Sequence, residues 1–382
     1  MSKFYSSNFK IGILGGGQLG RMLIQEAANY DVRIYILDSD ENAPSKNICH
    51  QFTNGSITNF DDVYNFGKDK DVVTIEIENV NVDALERLES EGIKVYPQPK
   101  LIRMVQDKGL QKKFYFDNQI PTAEFRLITS QNDLKEHTDF LPFVQKLRRG
   151  GYDGKGVQSM VIEDDFSKGF DSPSVLEKFV DFEKELSVIV ARNESGEIKS
   201  FPVVELEFNS EANLVEFLFA PANVEKKIEE SAQKIARDLI ERMGLIGILA
   251  VELFLTNSGE IIVNEIAPRP HNSGHQTIEA NFTSQFEQHL RAILNLPLGS
   301  TAAILPCVMI NLLGEKNHTG DVKYDGFEKI ISQEGVYPHI YGKTTTKPFR
   351  KMGHITVLNA SLEGAKKIAL QCKHELKVIS EK

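Results

Sequence analysis

Along the first hundred residues, short apolar runs alternate with polar and helically spaced segments. Ile11 to Leu14 is an apolar run ending in Gly15-Gly16-Gly17, after which Leu19, Leu23, Ile24 and Ala27 recur at helical spacing. This pattern predicts strand, turn and helix. Val32 to Leu37 and Val72 to Ile77 read as further strands, and Val82 to Leu88 as an amphipathic segment, so a parallel α/β layer is expected. Tyr96-Pro97-Gln98-Pro99 marks the approach to its boundary, and the first domain is placed at 1–106.

From Asp107 to about Asn118 the spacing predicts a helix, followed by Pro121 and by strands flanking the glycine-rich run Arg148 to Gly156. This gives a small α+β module, placed at 107–180. Strand-like runs follow at Ser174 to Val180, Leu186 to Ala191, Phe201 to Phe208 and Leu214 to Phe219, then a long amphipathic helix at Val224 to Met243. The tail alternates again, with strands near Ala303 to Leu312 and His354 to Leu358 and a helix from Leu362 to Gln371. A strand-rich third domain is therefore expected over 181–382, and no internal repeat is found.

Composition narrows the classes. At 382 residues, with 41% hydrophobic and 26% charged residues, the chain has the make-up of a folded protein of two or three domains. Its 54 acidic against 44 basic residues, a formal charge of -10, argue against a general nucleic-acid or anionic-membrane surface. Cys49, Cys307 and Cys372 are far apart and read as spectator thiols. The start of the chain lacks the apolar core of a signal peptide, and the longest apolar stretch, Gly244 to Leu255, is interrupted by Glu252. The expected location is cytoplasmic.

Several segments carry candidate chemistry. Gly15-x-Gly17-x-x-Gly20 lies between strand and helix, with Asp38 ending the next strand, as in a dinucleotide-binding fingerprint; a tight structural turn satisfies it equally. Glu252 and Glu265 lie on two apolar strands joined through Asn257 to Glu260. With Ser258-Gly259 as a two-residue turn, Thr256 faces Ile261, Phe254 faces Val263 and Glu252 falls opposite Glu265. Two opposed carboxylates call for a cation, and hard oxygen ligands near phosphates suit magnesium; a solvated edge with two unrelated acids is the alternative. Lys108 and Lys146 offer complementary charge, and Lys146 leads into a loop whose glycines free backbone N–H groups for a polyphosphate, although a plain hairpin turn at Asp153-Gly154 reads the same. Val175 to Val180, followed by Glu185, could meet an adenine edge and ribose hydroxyls. Asn264 to His275 packs two histidines, an arginine, an acid and asparagines just beyond a strand, which a polar turn seldom needs. Lys343, Lys347, Arg350 and Lys351 form a local basic cluster suited to a phosphate monoester, or else a solvated charge run.

Taken in order, the Gly15 to Gly20 loop, Gly150-Gly151-Tyr152-Asp153-Gly154-Lys155-Gly156, Asn264 to His275 and the basic tail resemble ATP-grasp enzymes of purine biosynthesis, specifically the N5-carboxyaminoimidazole ribonucleotide synthetases. The resemblance runs from about Lys10 into the C-terminal region. It implies an ATP-grasp fold, α/β and α+β, with a Rossmann-like N-terminal parallel-sheet domain, a central lid and a C-terminal antiparallel-sheet domain. It implies ATP held by Lys108, Lys146, Gly151, Tyr152, Asp153, Gly154, Lys155, Gly156, Val157, Glu177, Lys178, Phe179, Val180, Glu185, Asn264 and Glu265, with magnesium on Glu252 and Glu265. The same resemblance assigns Tyr152, Asp153, Lys155, Arg269 and His271 to the catalytic centre. It assigns Gln18, Leu19, Glu76, Asn272, Lys343, Arg350 and Lys351 to 5-aminoimidazole ribonucleotide, the last three on its phosphate. Bicarbonate is the implied co-substrate and a homodimer the implied assembly, with no nucleic-acid or membrane partner. Where the family commonly has Asn-Ile-His, this chain reads Leu206-Glu207-Phe208, so no nucleotide contact is carried over there. Three readings compete: a formate-using ATP-grasp transformylase, an NAD-dependent oxidoreductase resting on the first loop and Asp38 alone, and a nucleotide-sensing protein without catalysis.

Overall fold

The computed structural model describes residues 8–151, 156–209 and 214–381. In the first segment, strands β1 (Lys10–Leu14), β2 (Arg33–Asp38), β3 (Gln51–Asn54), β4 (Val72–Ile75) and β5 (Lys94–Val95) pair in the order β3-β2-β1-β4-β5. All four pairings are parallel. Helices α1 (Gln18–Ala28), α2 (Phe60–Gly67) and α3 (Val82–Ser90) supply its crossovers. The order reverses between β1 and β4, where an open α/β sheet leaves a crevice beyond its strand ends. The expected strand at Val72 to Ile77 stops at Ile75, because the chain bends there and turns Glu76 and Glu78 into that crevice.

The helix expected from Asp107 to Asn118 is α5 (Lys108–Asp117), preceded by α4 (Pro99–Val105). Asp107 is its N-cap and accepts the N–H groups of Gly109 and Leu110, so one aspartate fixes where Lys108 begins the helix. A four-stranded antiparallel sheet follows, β6 (Phe125–Ile128), β7 (Phe143–Leu147), β8 (Val157–Met160) and β9 (Ser174–Lys178), in the order β6-β9-β7-β8.

Then come β10 (Phe182–Arg192), β11 (Ile198–Ser200), β12 (Val204–Asn209), β13 (Leu214–Ala220), α6 (Lys226–Met243), β14 (Gly247–Thr256) and β15 (Ile261–Ala267). The tail holds α7 (Thr277–Ala280), α8 (Gln285–Ile293), β16 (Cys307–Leu313), β17 (Gly320–Asp325), α9 (Phe327–Ile331), β18 (Val336–Ile340), β19 (Thr345–Thr346), β20 (Lys351–Leu358), α10 (Leu362–Glu375) and β21 (Lys377–Ser380). Among the described residues these strands form a nine-stranded antiparallel sheet, β15-β14-β10-β12-β13-β16-β20-β18 with β11 beside β10, and a three-stranded sheet, β19-β17-β21. Two strands start later than the apolar pattern predicts, at Val204 and Cys307, each just beyond a proline that has no N–H to give a ladder, Pro202 and Pro306.

Helix α8 packs between its own sheet and the first: Ala292 shares a core with Ile189, Ile248 and Ala250, while Phe286, Leu290 and Ile293 share one with Ile11, Ile13, Leu23 and Ile34. Thr74 Oγ1 and His289 Nε2 meet at 3.0 Å within that contact. The parallel layer is thus closed by a helix from far along the chain. No helix among the described residues is long and apolar enough to cross a membrane.

Candidate active site

At the switch point the glycine loop is closed by two carboxylates of the same sheet. Asp38 accepts the Gly16 N–H at 2.6 Å, and Glu76 accepts the Leu19 N–H at 3.1 Å in the first turn of α1. Gly17, the N-cap of α1, has no capping side chain of its own, and a Cβ there would overlap the Glu76 carboxylate. Those N–H groups are what a dinucleotide pyrophosphate would need. The loop's glycines are therefore explained by close packing on Glu76 and Asp38. Glu76 is pushed up to about 7, chiefly by burial, with Arg269 and Lys343 pulling it back. These two cations also show that the Asn264 to His275 run and the basic tail both face the crevice.

The second cluster joins α5, β7, β9 and the β14–β15 hairpin. Lys108 Nζ pairs with Glu265, while Lys146 Nζ donates to Glu177 Oε2 at 3.0 Å and to Asn264 Oδ1 at 3.2 Å. Glu252 and Glu265 are cross-strand partners, as predicted, but by a different register. Phe254 faces Ile262 and Leu255 faces Ile261, because the turn has three residues: Gly259 N–H donates to Thr256 O at 2.9 Å with Gly259 at φ +82. A register shift beyond Leu253–Val263 leaves Asn264 as the extra residue of a bulge and brings Glu252 opposite Glu265 again. The bulge is what aims Asn264 at Lys146.

Electrostatics separates the two acids. Burial raises Glu265, but Lys108 and then Lys146 outweigh it and hold it below the ordinary carboxylate range. Glu252 is pushed up to about 7 by burial, then by Glu265 and Glu185, and Lys351 and Lys108 only partly offset this. Its Oε1 lies 3.7 Å from His271 Nε2. That histidine sits well below its ordinary pKa because it is buried beside Arg269 and Lys351, so the contact involves a neutral ring. Its Nδ1 meets Ser273 Oγ at 2.9 Å, which fixes the ring.

The remaining predicted residues fall around these two clusters. Arg269 Nε faces Glu78 Oε1 at 2.9 Å, tying the run after β15 to the first sheet. Asn272 and Asn311 exchange side-chain amide hydrogen bonds at 2.8 and 2.9 Å, so Asn272 is held by the neighbouring strand β16. Gln18 starts α1 at the crevice. Lys343 Nζ donates to Lys351 O at 2.7 Å and Arg350 Nη1 to Thr345 O at 2.7 Å, so the basic cluster is a folded corner rather than a loose run. Lys178 donates to Phe140 O and Leu141 O, fixing the linker that continues through Phe179 and Val180. A cleft of about 460 Å3 borders that linker and is lined by Thr122, Glu124, Lys178, Phe179, Val180 and Ile262 among others. None of the lysines or acids of the second cluster lines it. Glu185 lies on β10 opposite Phe254 and is pushed up to about 7 by burial.

Three family models match in succession: the ribonucleotide synthetase preATP-grasp domain over 9–106, the ATP-grasp domain over 113–286, and the phosphoribosylaminoimidazole carboxylase C-terminal domain over 307–368. The N5-carboxyaminoimidazole ribonucleotide synthase of Bacillus subtilis is 38% identical over 359 residues, covering 91% of each chain. The chain belongs to this ATP-grasp family. The N5-carboxyaminoimidazole ribonucleotide synthetase structure from Thermotoga maritima is 43% identical with a TM-score of 0.90, over 98% of this chain and 100% of that one. The enzyme from Aspergillus clavatus, solved with ADP and 5-aminoimidazole ribonucleotide, is 34% identical with a TM-score of 0.88, over 96% and 98%. The chain spans 64% of the length of plant and yeast phosphoribosylaminoimidazole carboxylases that it also matches.

Family membership explains the paired half-sites and the ATP-grasp fold. Tyr152, Asp153, Gly154 and Lys155, expected at the nucleotide, lie outside the described residues; Gly151, Gly156 and Val157 flank them in the chain, with Gly156 O accepting the Leu147 N–H at 2.9 Å. Phe208 pairs with Val215 across β12 and β13 and is half-buried. The motifs did not single out Lys112, Asp107, Arg148 or Glu78. Asp107 holds the Arg148 guanidinium through two 2.8 Å bonds, anchoring the base of the glycine-rich loop on the cap of α5. The available signal was helical spacing, since Lys112 follows Lys108 by one turn.

Proposed function

We propose that this protein uses ATP and bicarbonate to carboxylate the exocyclic amine of 5-aminoimidazole ribonucleotide, giving N5-carboxyaminoimidazole ribonucleotide, ADP and phosphate in purine biosynthesis. The observation that supports this most is the junction of the two half-sites. Glu252 belongs to the lysine–carboxylate cluster, yet it lies 3.7 Å from His271, on the run that faces Glu76 and the switch-point crevice. A phosphate held by Lys108 and Lys146 would therefore end beside a substrate held at the crevice. The family relatives carry the matching names.

In this reading a bicarbonate oxygen attacks the γ-phosphorus and the bond to ADP breaks, leaving carboxyphosphate. Its carbon–oxygen bond then breaks, giving carbon dioxide and phosphate; the amine lone pair attacks the carbon and the amine proton passes to the departing phosphate. The protein's part is charge neutralisation, alignment and exclusion of water. Lys108 and Lys146 meet the phosphates, the Glu177 to Val180 linker and its cleft take the adenine, and Glu185 takes the ribose. Neutral His271 and Arg269 flank the reacting amine, to which the family resemblance also assigns Tyr152, Asp153 and Lys155, and Gln18, Leu19, Glu76 and Asn272 hold the substrate, with Lys343, Arg350 and Lys351 on its 5'-phosphate.

Magnesium fits the residues present. Glu252 and Glu265 oppose each other with a single lysine paired to one of them, and Glu252 is left with a raised pKa that a nearby divalent cation would relieve. Among the described residues no group of three or more His, Cys, Asp or Glu side chains is placed to hold a metal ion by itself, so phosphate oxygens and water would supply the remaining ligands. When bound, the ion would neutralise charge between the phosphates. The reading includes a cytoplasmic homodimer, supported by family resemblance.

The test is phosphate release with ATP, bicarbonate and 5-aminoimidazole ribonucleotide, each omitted in turn. Release at least tenfold faster with all three than with any one missing is expected. Equal release without bicarbonate, or restoration by formate, would overturn the assignment.

A further inference from the structure

Lys112 is the most deeply buried charged side chain near the site, at 1% exposure. It lies one helical turn beyond Lys108 on α5, and the activity described above leaves it without a role. Its Nζ donates to Thr122 Oγ1 at 2.6 Å and lies 3.2 Å from Glu177 Oε2. Thr122 Oγ1 in turn donates to Val263 O at 3.1 Å, one residue before the Asn264 bulge. One ammonium thereby ties α5, β9 and β15, which carry Lys108, Glu177 and Glu265.

Lys146 donates to the same Glu177 oxygen, Oε2, at 3.0 Å. Two lysines therefore share one carboxylate oxygen. Glu177 is 6% exposed, and a carboxylate that deep must keep a positive partner. Were Lys146 its only partner, moving Lys146 toward a nucleotide phosphate would strand a buried charge, and that cost would be subtracted from binding. Burial draws Lys112 down to about 8, with Lys146 and Lys108 adding to the shift and Glu177 opposing it, so the ammonium is retained at neutral pH by that carboxylate.

We propose that Lys112 is a positioning residue that keeps Glu177 neutralised, so that Lys146 is free to leave it for the polyphosphate of the nucleotide. The proposal rests on the ATP-binding reading above. Lys112 makes no contact with the nucleotide; it acts through Glu177 and Lys146. Its effect is therefore confined to the phosphates and spares the base.

The experiment compares ATP and AMP binding by calorimetry in the wild type, Lys112→Met and Lys112→Met/Glu177→Gln. Methionine keeps the length and apolar volume of the stem but removes the charge. The wild type is expected to prefer ATP to AMP strongly. Lys112→Met should lose at least tenfold in ATP affinity while AMP affinity changes less than twofold. Removing the Glu177 charge in the double variant should restore the ATP preference to within threefold of wild type, and this variant carries the test if the single one does not fold. A folded Lys112→Met protein with the wild-type ATP preference would overturn the proposal, as would a double variant that folds but lacks that preference. Equal losses for ATP and AMP would make Lys112 a purely structural residue and overturn it too. A wild type that binds neither nucleotide would instead refute the ATP reading itself.

Discussion

Glu252 shows how one side chain can link pH to nucleotide binding. Its carboxyl is held at about 7 against an ordinary 4.5, first by burial and then by Glu265 and Glu185. Between those two values the folded protein binds more protons than the unfolded chain, so this group makes the nucleotide-free protein less stable as pH rises through the window. In the proposed site magnesium would compete with the same proton. Calorimetry should therefore find that the magnesium–ATP complex binds more weakly at pH 6 than at pH 8. Glu252→Gln should show a flatter profile, the nucleotide's own titration cancelling in the comparison. Identical pH profiles for the two proteins would remove Glu252 from the metal site. Glu265→Gln keeps size and loses charge; turnover is expected to fall on the order of a hundredfold with the circular dichroism spectrum unchanged. Full activity at saturating magnesium would reject that role. Both acids were legible in the sequence, since charged residues within apolar strands demand a partner. Lys112 was not, because a lysine among charged helix neighbours reads as solvated surface until the fold buries it against Glu177.

At the scale of elements, the β14–β15 hairpin shows why a correct pairing can come from an incorrect register. A two-residue turn was expected; the chain uses three residues with Gly259 left-handed, and the Asn264 bulge then shifts the ladder back by one. Alternation along a strand cannot reveal a bulge, because a polar residue beside a glutamate looks like ordinary alternation. The α1 turn is similar: its glycine spacing was visible, but that Glu76 and Asp38 fill it follows only from the β3-β2-β1-β4-β5 order. Gly17→Ala would place a Cβ against the Glu76 carboxylate, and the KM for 5-aminoimidazole ribonucleotide should rise severalfold while ATP binding is retained. Parallel loss of both would show that the loop belongs to the nucleotide. In the corner before β20, Arg350→Ala/Lys351→Ala should lower kcat/KM for 5-aminoimidazole ribonucleotide at least tenfold, since each charge-assisted contact contributes about 1.5 to 3 kcal/mol. ATP affinity should stay within twofold. No change in either quantity would return the pair to surface charge.

Across the whole molecule, the site lies where three segments distant in sequence converge. Helix α8 closes the first sheet, Arg269 reaches Glu78 in the crevice, and Thr122 bridges α5 to β15. Order along the chain predicts the layers but not these cross-links between residues far apart in sequence, 141 positions in Thr122–Val263 and 257 in Tyr30–Glu287. In the proposed reaction bicarbonate, and not water, attacks the nucleotide. Supplying 18O-labelled bicarbonate with ATP and 5-aminoimidazole ribonucleotide in unlabelled water, and measuring the mass of the released phosphate, tests it directly. One labelled oxygen in each phosphate released in step with turnover is the predicted result. Phosphate free of label, with ATP still consumed, would rule out attack by bicarbonate.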